Sequence, residues 1–122
     1  VICIDGDGAM IMHLGSLTSI ASLQPKNFHH ILINNEVHES VGGQETAAKN
    51  IDLSYVVKSM GIKNMYKAQS TDELIKRLNH FLSSNGPSFL EVKVRPGSRD
   101  DLGRPTITAV ENKKNFMAFL DK

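Results

Sequence analysis

The chain has 122 residues, 40% of them hydrophobic and 22% charged, and its formal net charge is +1. This composition is typical of a single globular domain, and a charge balance this even argues against nucleic-acid binding. No segment reaches the roughly 18 apolar residues that a membrane-spanning helix needs, and the first residues lack a signal-peptide pattern, so we expect a cytoplasmic protein that does not bind a membrane.

The first predicted element is a strand over residues 1–4, an apolar run that ends at Gly6-Asp7-Gly8. Residues 31–33 form a second apolar run, followed by Asn34-Asn35. Short uninterrupted runs rich in β-branched residues are typical of strands that are covered on both faces in a parallel sheet. Because the carboxyl ends of such strands meet at one crevice, we expect Asp7 and Asn35 to lie close together. Their oxygens are ligands that Mg²⁺ prefers.

Helical spacing of apolar residues predicts a helix over residues 10–23, which Pro25 ends. The N-terminal amides of this helix would favour an anion such as diphosphate at the same crevice. Residues 36–50 lack periodicity and contain two adjacent glycines, so we expect a long loop that contacts substrate. Later elements are a helix capped by Asp52, strands near residues 64–67 and 89–94, and two helices that begin with the capping boxes Ser70/Glu73 and Thr108/Glu111.

This alternation of strands and helices predicts an α/β fold, a three-layer sandwich built on a parallel sheet with right-handed βαβ crossovers. The first residue already belongs to a strand and no initiating methionine precedes it. We therefore expect this sequence to be a fragment of a longer protein.

The pair of motifs Gly6-Asp7-Gly8 and Asn34-Asn35, with Asn35 28 positions after Asp7, resembles the diphosphate-binding signature of thiamine diphosphate enzymes. The resemblance implies that Asp7, Asn35 and the backbone carbonyl of Val37 bind Mg²⁺, which in turn binds the cofactor. It also implies that the amides of Gly8 and Ala9 meet phosphate oxygens. Gly6 and Ser40 complete the implied cofactor site.

Segments 34–46, 95–105 and 111–117 resemble the phosphonopyruvate decarboxylase family more closely, and the likeness covers nearly the whole chain. It departs at Val37-His38-Glu39, where a small residue and an aspartate are expected. The family implies a lyase that decarboxylates 3-phosphonopyruvate, a small 2-oxo acid, to phosphonoacetaldehyde and carbon dioxide in phosphonate biosynthesis. Sulfopyruvate decarboxylase, including its beta-type subunit, is the nearest alternative.

The same resemblance assigns residues 1–122 to the C-terminal part of a diphosphate-binding domain with the thiamine diphosphate-binding fold. The pyrimidine-binding domain of that family would lie outside these residues, on the same chain or on a partner chain. We therefore expect a homo-oligomer, and no turnover by this fragment alone. A flavodoxin-like domain that binds an acidic ligand or partner without catalysis is the alternative from another class.

Further candidates are one histidine and a group of three arginines. His38 lies three residues after Asn35, where it could transfer a proton or orient substrate, or be an ordinary loop histidine. Arg99 and Arg104, with Arg95, could bind a phosphonate through paired hydrogen bonds, although charged loop residues are more often solvated.

A zinc site is not expected from the sequence. His29 and His30 begin a strand with no third ligand expected nearby, and the lone Cys3 lies in an apolar run that is typical of a small core residue. Glu39 and Glu45 are expected to be solvated.

Overall fold

Four parallel strands form the central sheet of the computed structural model, which describes residues 1–121. The strand order is β1-β2-β6-β5, and a separate two-stranded antiparallel hairpin pairs β3 with β4. The strands are β1 (Ile2–Gly6), β2 (His29–Asn34), β3 (Val37–His38), β4 (Gln44–Glu45), β5 (Asn64–Ala68) and β6 (Ser88–Lys93).

Helices cover both faces of this sheet, so the predicted three-layer α/β architecture is confirmed. The helices are α1 (Asp7–Met12), α2 (Ser16–Leu23), α3 (Leu53–Ser59), α4 (Thr71–Ser83) and α5 (Ala109–Leu120). The first three helices pack on one face, around Leu17, Leu32, Val57 and Phe89. The fourth helix packs on the other face, where Phe81 contacts Leu90 and its neighbours.

The helix predicted over residues 10–23 is wrong in its continuity and in its start. The structure has two helices with a break at residues 13–15, and α1 begins at Asp7 itself. Gly15, which has a low helix propensity, is the N-cap residue of the second helix, and Leu14 and Leu17 on either side of it still pack against the core. The early start makes Asp7 the first residue of α1.

The loop predicted over residues 36–50 has more internal structure than its lack of periodicity indicates. It contains the β3–β4 hairpin and two single 3₁₀ turns, Glu39–Val41 and Ala47–Lys49. The turn at residues 47–49 begins at Thr46, whose hydroxyl accepts a hydrogen bond from the amide of Ala48. This local structure returns the chain to the end of β2.

The two capping boxes predicted for later helices have different outcomes. Thr108 and Glu111 form the complete reciprocal pair at the start of α5. The Ser70/Glu73 box at the start of α4 is not reciprocal. The Ser70 hydroxyl accepts from the amide of Glu73 at 3.3 Å, but the Glu73 carboxylate accepts from the amide of Gln69, at 2.8 Å, instead of from that of Ser70. Both helices therefore have capped N-termini.

The outer face of β1 does not match the prediction of a strand covered on both sides. Ile2 and Ile4 are 54% and 64% exposed, because α4 lies over β5 and β6 and no element within residues 1–121 covers this part of the sheet. In the same described part of the chain, no helix combines the length and apolarity that crossing a bilayer requires.

Candidate functional site

A cavity of about 390 Å³ opens at the carboxyl ends of β1 and β2. It brings together eight of the predicted site residues from two separate stretches of the chain. These are Gly6, Asp7, Gly8, Ala9, Asn35, Val37, His38 and Ser40. Glu39 lines it as well. The crevice predicted from the two strand-end motifs is therefore present.

Asp7 is a buried carboxylate, only 2% exposed, and it has no cationic partner within residues 1–121. Its Oδ2 accepts a hydrogen bond from the hydroxyl of Thr46. None of the ion pairs found in residues 1–121 includes it. A buried charge is costly unless a counter-charge or metal compensates for it, so the chemistry of this site favours a bound cation.

The side-chain amide of Asn35 is held in one orientation by two contacts. Its Nδ2 donates to Oε2 of Glu39 at 2.9 Å, and its Oδ1 accepts from the amide of Val37 at 3.2 Å. Because a carboxylate only accepts hydrogen bonds, the Asn35 atom next to Glu39 must be Nδ2. Oδ1 of Asn35 therefore faces the turn at Val37. Glu39 was predicted to be solvated, but its carboxylate makes two hydrogen bonds within the protein, because its other oxygen accepts from the amide of Gly97.

The backbone carbonyl of Val37 is free of the hairpin ladder. In the β3–β4 pair the carbonyl of Glu36, not that of Val37, accepts from the amide of Thr46, at 2.8 Å. The N–H and C=O groups of one strand residue point to the same side of the strand. The Val37 amide donates to Asn35 and not to β4, so the Val37 carbonyl also points away from β4. It can therefore serve as an oxygen ligand.

Gly8 in α1 lies close to His38 of the hairpin. A Cβ at this position would lie 2.6 Å from both Cε1 and Nδ1 of His38. Any side chain at position 8 would therefore displace the imidazole. The half-buried His38 thus lines the cavity directly beside the start of α1.

A buried ionic network lies behind the end of β2. Glu91, 1% exposed in β6, accepts from Nδ2 of Asn34 at 2.7 Å and from the hydroxyl of Ser54 at 2.5 Å. Lys67 and Lys93 place their ammonium groups 3.4 and 3.9 Å from its two oxygens. These contacts hold Asn34, the residue before Asn35, against the neighbouring strand.

Lys93 extends this network to the turn after β2. Its ammonium donates to Glu36, and this hydrogen bond, with the positive charge of the lysine, lowers the pKa of the Glu36 carboxyl below its usual value. Glu36 adopts a positive φ of 63°, which few non-glycine residues do. The ion pair therefore stabilises the tight turn that leads from Asn35 to Val37.

The predicted substrate arginines lie elsewhere. Arg99 is on an exposed loop, where its Nε is 3.2 Å from Asp101, and Arg104 is exposed on the same loop. Neither lines the cavity at Asp7. Arg95 lies closer, because it lines a smaller cavity of about 290 Å³ that shares Asn35 and Val37 with the first.

A family model matches residues 1–92, and its description is the C-terminal TPP binding domain of thiamine pyrophosphate enzymes. The chain belongs to this thiamine pyrophosphate (thiamine diphosphate) enzyme family. The matched range includes both strand-end motifs and the whole hairpin. The resemblance inferred from the sequence is thereby confirmed at the level of the family.

The curated relatives of this thiamine diphosphate domain are decarboxylases. A phosphonopyruvate decarboxylase of Streptomyces viridochromogenes is 38% identical over 98% of the chain, which spans 30% of that relative. A sulfopyruvate decarboxylase of Methanosarcina acetivorans is 34% identical over 99% of the chain, which spans 31% of it. The sulfopyruvate decarboxylase subunit beta of Methanococcus maripaludis is 32% identical over the whole chain, which spans 65% of it.

The residues that support the proposed ligands through tertiary contacts were not predicted from the sequence. Thr46 contacts Asp7 from 39 positions away, and Glu91 contacts Asn34 from 57 positions away. Thr46 has no signal beyond its place in a loop. Glu91 does have one, since it is a single charged residue between Leu90 and Val92 in an apolar strand.

Proposed function

We propose that this chain forms the magnesium and diphosphate half-site of a thiamine diphosphate-dependent decarboxylase. The observation that carries the proposal is Asp7, a buried carboxylate without a cationic partner that lines a cavity together with Asn35 and Val37. A carboxylate, an amide oxygen and a backbone carbonyl form the all-oxygen set that Mg²⁺ prefers. The residues present therefore fit the ion.

Each residue of this half-site has a defined role. Asp7, Asn35 and the carbonyl of Val37 hold the ion, and the amides of Gly8 and Ala9 bind the diphosphate, with Gly6 and Ser40 beside them. When bound, thiamine diphosphate supplies the nucleophile and the electron sink for decarboxylation. The protein's part is to hold the diphosphate in place, and His38, against Gly8, is positioned to orient a group in the cavity.

We propose 3-phosphonopyruvate as the substrate. The support is the identity of 38% and 37% to two phosphonopyruvate decarboxylases over 98% of the chain. Sulfopyruvate decarboxylases are 34% and 32% identical over 99% and 100% of the chain, and one subunit beta is 37% identical over 82% of it. Sulfopyruvate is the second candidate because relatives of both names match the chain. The flavodoxin-like alternative is not favoured, since the family model covers both strand-end motifs.

The pyrimidine-binding domain is proposed to come from the same or a partner chain. The segment aligned with this chain is 31% of the Methanosarcina acetivorans relative and 65% of the subunit beta of Methanococcus maripaludis. The Methanosarcina acetivorans protein is therefore about twice as long as the subunit beta (65/31). Relatives thus carry this segment both in a long chain and in a shorter one named as a subunit. We propose that residues 1–122 alone do not turn over substrate and that the complete enzyme is an oligomer.

The test measures the thermal stability of the full-length protein with Mg²⁺ and thiamine diphosphate, separately and together. At a hundred times the dissociation constant, both ligands together should stabilise the protein by about 2.7 kcal/mol. Asp7→Asn should abolish this gain, whereas Asp72→Asn, on the exposed first turn of α4, should keep it. An equal gain in Asp7→Asn would refute the proposed ion site.

The substrate is tested by comparing phosphonopyruvate and sulfopyruvate in one decarboxylation assay. We expect a higher kcat/KM for the phosphonate, and a preference for the sulfonate would reverse the assignment. Arg99→Gln and Arg104→Gln test the predicted substrate arginines, with Arg95→Gln as the comparison at the neighbouring cavity. A raised KM only in Arg95→Gln would move the substrate site to that cavity.

A further inference from the structure

Three side chains with different metal-binding atoms converge between β1 and β2. Cys3 and Asp5 lie on the same face of β1, and His30 in β2 is the direct pairing partner of Cys3. The Asp5 Oδ2 is 3.6 Å from the Cys3 sulfur and 2.9 Å from Nε2 of His30, and all three atoms lie within 4.8 Å of one another. The premise that His30 has no further ligand nearby was therefore wrong, because strand pairing brings distant residues together.

We propose that Cys3, Asp5 and His30 bind a soft divalent cation of the Zn²⁺ type. Zinc binds sulfur at about 2.3 Å, imidazole nitrogen at about 2.0–2.1 Å and carboxylate oxygen at about 2.0–2.2 Å. Ligand atoms around such an ion lie roughly 3–4 Å apart, so small side-chain adjustments bring this trio into position. Mg²⁺ does not fit, since it requires oxygen ligands.

The charges and protonation of the cluster suit this ion. One thiolate and one carboxylate neutralise a divalent cation, which limits the cost of placing it in a partly buried site. Burial lowers the pKa of His30, although the Asp5 carboxylate opposes this effect. The free thiol stays protonated, because burial and the nearby Asp5 carboxylate raise the pKa of Cys3, and the ion must displace that proton.

This cluster is separate from the proposed magnesium site. None of its three residues lines the cavity at Asp7. The His30 side chain is 5% exposed, whereas that of Asp5 is 36% exposed and leaves a fourth coordination position open to water. An ion here would join β1 to β2, the strands that lead to Asp7 and Asn35, and would stabilise this pair.

The test uses Co²⁺ as a spectroscopic probe for the metal-stripped full-length protein. We expect one Co²⁺ per chain with a thiolate-to-cobalt charge-transfer band, which Zn²⁺ removes and excess Mg²⁺ does not. Cys3→Ser should abolish the band. Loss of an outer-shell partner typically weakens metal binding by about 10–100-fold. Asp5→Asn and His30→Gln remove ligands, so each should weaken Co²⁺ binding by more than that.

Two control variants separate this site from its surroundings. His29→Gln changes the adjacent histidine, which pairs with Ser88 at 2.7 Å, and it should keep the band. Asp7→Asn should also keep it while losing magnesium-dependent cofactor binding, so failure of one site does not imply failure of the other. Absence of the band in the unmodified protein, or its persistence in Cys3→Ser, would overturn the proposal whether or not the other variants fold.

Discussion

Thr46 donates its hydroxyl hydrogen to Oδ2 of Asp7 and so connects the first turn of α1 to the loop after the hairpin. Both residues are buried, at 3% and 2% exposure. The hydrogen bond occupies one carboxylate oxygen and leaves Oδ1 without a hydrogen bond from any residue in 1–121. Oδ1 is therefore the oxygen of Asp7 that the proposed ion would contact.

Replacing Thr46 with valine should weaken magnesium binding in the full-length protein by about 10–100-fold, because the ligand loses the partner that orients it. The measurement is the Mg²⁺ dependence of thiamine diphosphate binding. Thr46→Ser keeps the hydroxyl and should bind as the unmodified protein does. Thr46 also caps the turn at residues 47–49, so metal-free unfolding should show a separate loss of about 1 kcal/mol in Thr46→Val.

Gly8→Ala should destabilise the protein by about 1–3 kcal/mol, because its new methyl group overlaps the imidazole of His38. The free energy of unfolding in urea measures this cost. In the His38→Ala background the overlap is gone, so Gly8→Ala should then have little effect. If the two substitutions prove additive, the contact between Gly8 and His38 does not determine the requirement for glycine.

Glu91→Gln should lower the free energy of unfolding by about 1.5–3 kcal/mol, since Asn34 and Ser54 lose a charged acceptor. It should also weaken Mg²⁺ binding, because Asn34 precedes Asn35. Urea unfolding and the Mg²⁺ titration are measured on the same samples. Glu45→Gln, which removes the exposed ion pair with Lys49, is the matched control and should change neither quantity appreciably.

The meeting of the strand-end residues Asp7 and Asn35 at one cavity could be predicted from sequence, because their placement depends on local chemistry and one general rule of parallel sheets. Apolar runs specify β1 and β2, and the motifs that follow must then meet at one edge of the sheet. The parallel pairing of Gly6 with Ile33 is the result. The family model confirms the fold to which these motifs belong.

The supporting residues could not be predicted because they depend on tertiary packing between distant segments. Nothing near Thr46 or Glu91 indicates which carboxylate or amide each will contact. The break between α1 and α2 was missed for a different reason, since one glycine lowers helix propensity by only about 1 kcal/mol relative to alanine and does not by itself indicate a break. The Cys3–His30 pairing required the register of two strands.

The stability of the protein should fall as the pH drops below about 6.5, and His30 should account for part of this change. Burial lowers the pKa of His30 below 6.5, although the Asp5 carboxylate opposes this effect. As the pH falls, His30 therefore binds its proton at a higher pH in the unfolded chain than in the folded protein. The free energy of unfolding then decreases with falling pH, from 6.5 down to the lowered pKa, by at most about 1.36 kcal/mol per pH unit.

Urea unfolding between pH 5 and 8, with a chelator present to keep the Cys3 cluster free of metal, measures this dependence. His30→Gln should flatten the profile over the acidic part of the range. His13→Gln is the matched control, because His13 is exposed on the segment between α1 and α2. If the free energy of unfolding of His30→Gln still falls as steeply with decreasing pH, then other titrating groups, and not the buried His30 imidazole, cause the loss of stability.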